Sequence, residues 1–348
     1  MLTFDSKVSS ATIVPAFIKQ LRLCKLESTE TVLFLTDDSS PRELVEAGLV
    51  ACTSLGSACY EVRVPSGPDV RYVGANPYEA PGLREAFERV DLVVSFVVGF
   101  FSGWEHAVRE SGGRILNILD VPWMLLKLQG DENFKRVALA AQRQVQATKV
   151  IRVTSAAGTD FSYEVDHSAP HLCHYGAADE PGHMDEWGQC MMGAFPVDGT
   201  ANGTVVVQPG DLWALPYMRI VQSEIKLEVR EGYVRSVTGG LDAHLFRAWL
   251  DECKSSESDM DPYAVSHLGW GMNPRASYHD VVNFEHKMDH LVAAVRGLPG
   301  SYLFSTGPSH KRKTKGHIDM PLLGCTVMLD GRPVIENGRI VDPEMKCF

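Results

Sequence analysis

The strongest constraint in this 348-residue chain is a repeated alternation of apolar strand and helical segment over its first third. Residues 31–36, TVLFLT, are apolar and β-branched, and a helix is predicted over 42–55, ending near Gly56. Strands follow at 60–64, 91–98 and 114–119, with helices at 81–90 and 106–111 between them. The run at 92–98, LVVSFVV, is apolar at nearly every position, so neither face can meet water. Strands of that kind belong in a mostly parallel sheet with helices on both faces. No G-x-G-x-x-G follows the first strand, which argues against a dinucleotide fold in the strict sense. Asp37-Asp38-Ser39-Ser40-Pro41 reads as a turn with a helix N-cap and a proline at the first helical position, in preference to a metal-binding acidic pair.

Residues 122–148 are amphipathic and helical, with a second part starting near Asp131-Glu132-Asn133. At Lys149 the pattern turns to strand and loop, so a boundary is placed near 150: an α/β domain at 1–150 and an α+β domain at 151–348. In the second half, 204–207 and 225–229 are strands and 241–253 a helix. The net charge of -11 disfavours a nucleic-acid or anionic-membrane partner, because both need a basic footprint. Eight cysteines without a C-x-x-C pair, several in apolar surroundings, indicate reduced thiols. The first residues show no basic segment followed by an apolar one, so a cytoplasmic location is expected.

Chemistry concentrates at 302–331, YLFSTGPSHKRKTKGHIDMPLLGCTVMLDG: a strand, a Gly-Pro turn, a cationic loop and a strand opening with His317-Ile318-Asp319. Alternation puts His317 and Asp319 on one face and Ile318 on the other. An imidazole and a carboxylate side by side suit a divalent cation, or form a surface pair on an edge strand. The apolar run Leu322, Leu323, Cys325, Val327, Leu329 favours a buried strand, where a lone carboxylate is costly. His267, ahead of Gly-Trp-Gly, would complete two imidazoles and one carboxylate; the alternative is a hydrogen-bonded histidine. His171, His174, Asp179, Glu180, His183, Asp185 and Glu186 crowd into residues 171–190, as a site or as a solvated loop. His286 and His290 share a helix face but lack a zinc-protease pattern, and read as surface residues. Trp187 and Trp270 read as core residues.

The segments YGAADEPGHMDEWG, SHLGWGMNPRASY and the 302–331 stretch, in that order, resemble the 2,5-dihydroxypyridine 5,6-dioxygenase family, iron(II) ring-cleaving enzymes distantly similar to leucyl-aminopeptidase-like metallopeptidases. The resemblance implies an Fe(II) cofactor held by His267, His317 and Asp319 as a facial triad. It also implies a small hydroxylated N-heteroaromatic substrate, dioxygen as co-substrate, an open-chain N-formyl amide product and association into homo-oligomers. Family members place a histidine, taken as the base that deprotonates the substrate hydroxyl, where ungapped alignment gives Phe101. His106, His174 and His183 are therefore the candidate bases. Phe100 and Phe101 make a more apolar wall, and Glu180, Arg275, Ser305 and Thr306 are candidate substrate contacts; a salt bridge for Arg275 and turn hydrogen bonds for the hydroxyls are the plainer roles. A metal-dependent hydrolase of the aminopeptidase-like branch, with Glu180 or Asp185 joining a second metal, and a non-catalytic binding protein are the competing readings.

Overall fold

A computed structural model of the chain describes residues 8–66, 82–97, 99, 101–283 and 291–347. They form two compact units, and the chain passes between them more than once: residues 1–132 with 174–189, and residues 133–173 with 190–348. The change of pattern near 150 marks where helix gives way to antiparallel strand, whereas the units exchange chain at 132/133, 173/174 and 189/190. The helix Glu132–Gln146 goes mainly with the second unit because its polar face is tied there. Arg136 donates to the Lys346 carbonyl at 2.9 Å, and Gln144 bonds Arg332, Asp342 and Glu344.

The first unit is built on a five-stranded sheet in the order Ala58–Arg63, Thr31–Thr36, Leu92–Ser95, Arg114–Asn117, Met184–Glu186, every neighbour parallel. Both faces are covered, as alternation requires. Leu33, Leu35, Val93 and Ile115 pack with Phe87, Trp104 and Val108, carried by the helices Leu83–Phe87 and Gly103–Glu110 and their flanks. On the opposite face Phe34 meets Phe17 of Ser10–Leu23 and Gly48 of Arg42–Ser54, where an added Cβ would lie 2.5 Å from the Phe34 ring. Pro41 is the N-cap of Arg42–Ser54 and not its first helical residue. Asp37 instead closes a tight turn, accepting from the Ser39 N–H and from the Ser39 and Ser40 hydroxyls. The helix expected over 81–90 is shorter, Leu83–Phe87. Residues 171–190 are not a solvated loop: Leu172–His174 and Met184–Glu186 are strands, and Trp187 is buried edge-on against Phe17.

The second unit contains two larger, mainly antiparallel sheets and a two-stranded one, Leu212–Trp213 with Arg219–Ile220. One has eight strands in the order Tyr233–Gly239, Ile225–Arg230, Asn202–Val207, Asp160–Glu164, Val150–Ser155, Cys325–Leu329, Arg332–Glu336, Arg339–Ile340. The other runs Ile318–Leu322, Tyr302–Thr306, Leu268–Gly271, Met191–Ala194, Leu172–His174. Phe161 and Phe304 meet edge-on at 5.9 Å between them. The Gly-Trp-Gly stretch is a regular strand, not an irregular one. Its glycines are required because a Cβ at Gly269 or Gly271 would fall 2.1 Å from the Met192 carbonyl oxygen or 2.3 Å from that of Leu298. Trp270 is buried in the core. His286 and His290 lie outside the described residues, as does Phe100. The cysteines are free thiols, and among the described residues no helix is long and apolar enough to cross a membrane.

Candidate metal centre

Three adjacent strands of the second sheet bring one imidazole pair and one carboxylate to a common point. Tyr302–Thr306 lies between Leu268–Gly271 and Ile318–Leu322 and is antiparallel to both. Both flanking strands therefore begin where the central one ends, and His267 and His317, each the residue before its strand, sit at that same end. Asp319 is paired with Ser305, and its main chain is held from the other side by Leu215, whose carbonyl accepts the Asp319 N–H at 3.2 Å.

His267 Nε2 is 3.2 Å and His317 Nε2 is 3.3 Å from the same oxygen, Asp319 Oδ1, and the ring centroids are 5.0 Å apart. All three residues are almost fully buried. The other ring nitrogens fix what these atoms carry. His317 Nδ1 donates to the Thr306 carbonyl at 2.9 Å. The Ser266 hydroxyl donates to the Pro308 carbonyl, so at 3.4 Å it receives the Nδ1–H of His267. With Nδ1 donating in each ring, both turn Nε2 toward a carboxylate whose two oxygens accept no other hydrogen bond. Lone pairs facing a buried carboxylate require a positive charge between them, a proton or a metal ion. Burial holds the His267 imidazole below its usual range, partly opposed by Asp319. Burial also opposes charge on Asp319, but the two imidazoles outweigh it and keep the carboxyl well below the usual carboxylate range. A neutral imidazole and an ionised carboxylate are the forms that bind a metal. The residues fit a divalent cation, with ligand atoms all within 4.8 Å of one another.

Arg296, which the sequence reading did not single out, places Nη1 3.5 Å from Asp319 Oδ2 and is itself buried. Its only signal in the sequence is a cation closing the otherwise apolar segment VAAVR. Ser305 shares the Asp319 face of the sheet, with a buried Oγ that has no partner. Thr306 pairs with Ile318, so its side chain takes the opposite face and its carbonyl is what serves His317. Arg275 lies over the Phe134 ring at 5.4 Å, a packing contact.

The remaining candidates belong to the first unit. His174 is buried, with Nδ1 3.3 Å from Asp185 Oδ1. His183 places Nε2 3.7 Å from Asp185 Oδ2 and Nδ1 3.0 Å from the Tyr175 hydroxyl, which donates to Asp179 at 2.7 Å. His106 is exposed and paired with Glu110 at 3.1 Å. Glu180 is exposed in an ion pair with Lys25. Phe101 is part-exposed with a φ of 60°, and its N–H donates to Glu105 at 2.9 Å.

Among the described residues only His267, His317 and Asp319 bring three ligand atoms within 4.8 Å of one another, and that group holds a single carboxylate, without the bridging carboxylates of a two-metal hydrolase. The sequence matches the 2,5-dihydroxypyridine 5,6-dioxygenase family over residues 12–342. It is 31% identical to the 2,5-dihydroxypyridine 5,6-dioxygenase of Pseudomonas putida KT2440, covering 97% of this chain and 98% of that protein. A solved structure of the enzyme from that organism superimposes with a TM-score of 0.90 at 30% identity, over 97% of this chain and all (100%) of that one. AmpT from Thermus thermophilus shares the fold alone, with a TM-score of 0.63 at 11% identity over 95% of this chain and 99% of its own. The family match over residues 12–342, the sequence identity and the superposition all extend along nearly the whole length, and the chain belongs to the 2,5-dihydroxypyridine 5,6-dioxygenase family.

Proposed function

We propose that this chain is a non-haem Fe(II) dioxygenase that opens a hydroxylated N-heteroaromatic ring such as 2,5-dihydroxypyridine, with His267, His317 and Asp319 as the metal ligands. The observation that carries this reading is the buried Asp319 carboxylate, on one oxygen of which the Nε2 atoms of two buried imidazoles converge and whose oxygens take no main-chain donor. Two histidines and a carboxylate occupy one face of an octahedron and leave adjacent positions for substrate and dioxygen. Bound iron(II) supplies the redox chemistry that lets dioxygen react with the ring.

The chain's own residues set the charge of the site. One carboxylate offsets half of a divalent ion's charge, and Arg296 adds a further positive charge beside Asp319. The substrate is therefore taken up as an anion, its ring hydroxyl deprotonated. Ser305, on the Asp319 face with an unpartnered buried hydroxyl, is the proposed polar contact to the ring. Thr306 acts through its carbonyl and not through its side chain. The candidate bases for the proton leaving the substrate remain His174 and His183, each of which lies beside Asp185. His106, exposed and paired to Glu110, is the weaker candidate. Association into homo-oligomers belongs to the same reading and is measured by light scattering.

Anaerobic loading with Fe(II), followed by oxygen-uptake measurements over a panel of hydroxypyridines, tests the proposal. Uptake proportional to bound iron is expected with at least one member. No uptake with any of them overturns the dioxygenase reading, and turnover of a peptide-like substrate by the zinc or cobalt form without oxygen replaces it with the hydrolase one.

A further inference from the structure

The loop 307–316 joins the central strand to His317, and both of its ends touch the histidines. At its start the Thr306 carbonyl accepts from His317 Nδ1, and the Pro308 carbonyl accepts from the Ser266 hydroxyl that meets His267 Nδ1. The ends are drawn tightly together: Gly307 has a φ of 105°, and a Cβ there would lie 2.2 Å from the Gly316 carbonyl oxygen. Whatever holds the loop therefore holds the orientation of both rings.

The anchor of its tip is Asp166. Lys311 Nζ is 2.9 Å and His310 Nε2 is 3.5 Å from Asp166 Oδ2, while Asp166 Oδ1 accepts from the Ser168 N–H and hydroxyl. The Asp166 N–H donates to the Phe195 carbonyl at 2.9 Å. The Phe195 ring stands edge-on to His310 at 5.4 Å and to His267 at 6.0 Å. Asp166 is 7% exposed. Arg312 adds longer ionic contacts, to Asp198 at 3.4 Å and to Asp261 at 3.6 Å, and donates to the Gly307 carbonyl within the loop at 3.3 Å.

We propose that Asp166 is a positioning residue for the metal centre: through Lys311 and His310 it pins the 307–316 loop, which carries the Pro308 carbonyl behind His267, leaves the strand at the Thr306 carbonyl behind His317 and leads directly into His317. Polar partners behind metal-binding histidines typically change metal affinity by 10–100-fold when removed. Asp166 stands one step further back, so about tenfold is expected. The proposal rests on the triad holding a metal, and the measurements below separate the two.

Co(II) is the probe, because its visible absorption reports ligand geometry directly. Wild type, Asp166→Asn, Lys311→Met and Lys311→Arg are loaded, and release to excess EDTA is followed alongside the shape of the absorption band. Asp166→Asn and Lys311→Met should release Co(II) about tenfold faster with an altered band, and Lys311→Arg should behave as wild type because it keeps the ion pair. In the metal-free proteins, trypsin should cut within residues 311–315 faster in the first two variants than in the others. Lys311 is half exposed, so its variants fold even if Asp166→Asn does not. Wild-type release rates and band shapes in Lys311→Met overturn the positioning role alone, as does accelerated release that Lys311→Arg fails to correct. If wild type binds no Co(II), the metal reading falls and this proposal with it, while the trypsin result still reports whether the anchor exists.

Discussion

Asp185 in the first unit and Asp319 in the second are both fully buried, and each lies between two histidines. Around Asp185 the oxygens are occupied by the main chain: Oδ2 accepts the Tyr175 N–H at 2.8 Å and Oδ1 the Glu186 N–H at 2.7 Å. Its histidines approach different oxygens, at 3.3 and 3.7 Å. Asp319 receives no main-chain donor, and both of its histidines converge on Oδ1. The same residue types thus give a carboxylate already satisfied by the main chain in one place and a candidate cation site in the other. What separates them is where the hydrogen bonds already go.

The largest effect that can break this comparison is on metal content. Asp319→Asn should bind no Fe(II) or Co(II) at stoichiometric protein and should lose oxygen uptake by more than about 100-fold, since a direct ligand matters more than the residues behind it. Asp185→Asn should keep the wild-type metal content, read by metal analysis after gel filtration. Loss of metal in Asp185→Asn with retention in Asp319→Asn would invert the assignment of the two aspartates.

Stability of the metal-free protein sharpens the same contrast at smaller magnitude. In Asp185→Asn an amide NH₂ replaces an oxygen that accepts a main-chain N–H, and a donor then faces a donor. Such a loss inside a protein costs roughly 1–3 kcal/mol. In Asp319→Asn the new NH₂ can donate to an imidazole Nε2 while the buried Arg296 loses its carboxylate partner, so the two changes offset and stability should move by less than about 1 kcal/mol. Urea denaturation with chelator present reads both, and equal losses in the two variants would mean that the metal-free Asp319 cluster is already satisfied.

The legible part of the molecule follows from how local each signal is. Apolar runs such as 92–95 and 31–36 announced the parallel sheet because burial on both faces leaves no polar position to spare. His317 and Asp319 were readable because two-residue spacing on a strand settles a shared face without knowledge of the partner strand. Met184–Glu186 was not readable: it is three residues long, two of them acidic, and it is a strand only because Arg114–Asn117 offers it an edge. Arg296 and Asp166 were missed for a related reason. Their roles depend on Asp319 and Lys311, which are distant in sequence, and no local pattern records such a pairing. Pro41 and the exchange of chain between the units were misjudged because turn closure and tertiary ties override a preference read from neighbours alone.

A third buried aspartate shows what happens with neither a cation nor an imidazole close by, and gives the smallest predicted effect. Asp211 accepts the Leu323 N–H at 2.7 Å and the Gln208 N–H at 2.8 Å. Burial nevertheless outweighs those two bonds and pushes its carboxyl from 3.8 up to about 6. Asp319, equally buried, moves the opposite way because of its histidines. With the folded value above the unfolded one, the protonated form favours folding. The contribution of Asp211 is fully present below about pH 4 and is lost as pH rises through about 6. The span amounts to roughly 2–3 kcal/mol for a shift of about two pH units. Asp211→Asn, which cannot ionise, should start from lower stability because one N–H loses its acceptor, and should lack this fall. The difference between wild type and variant, from denaturation of the metal-free proteins at successive pH values, should therefore shrink from pH 4 to pH 7 and then stay constant. A difference that is flat across that range would mean that main-chain donors alone keep a buried carboxylate ionised here, and the histidines would no longer be needed to explain why Asp319 stays charged.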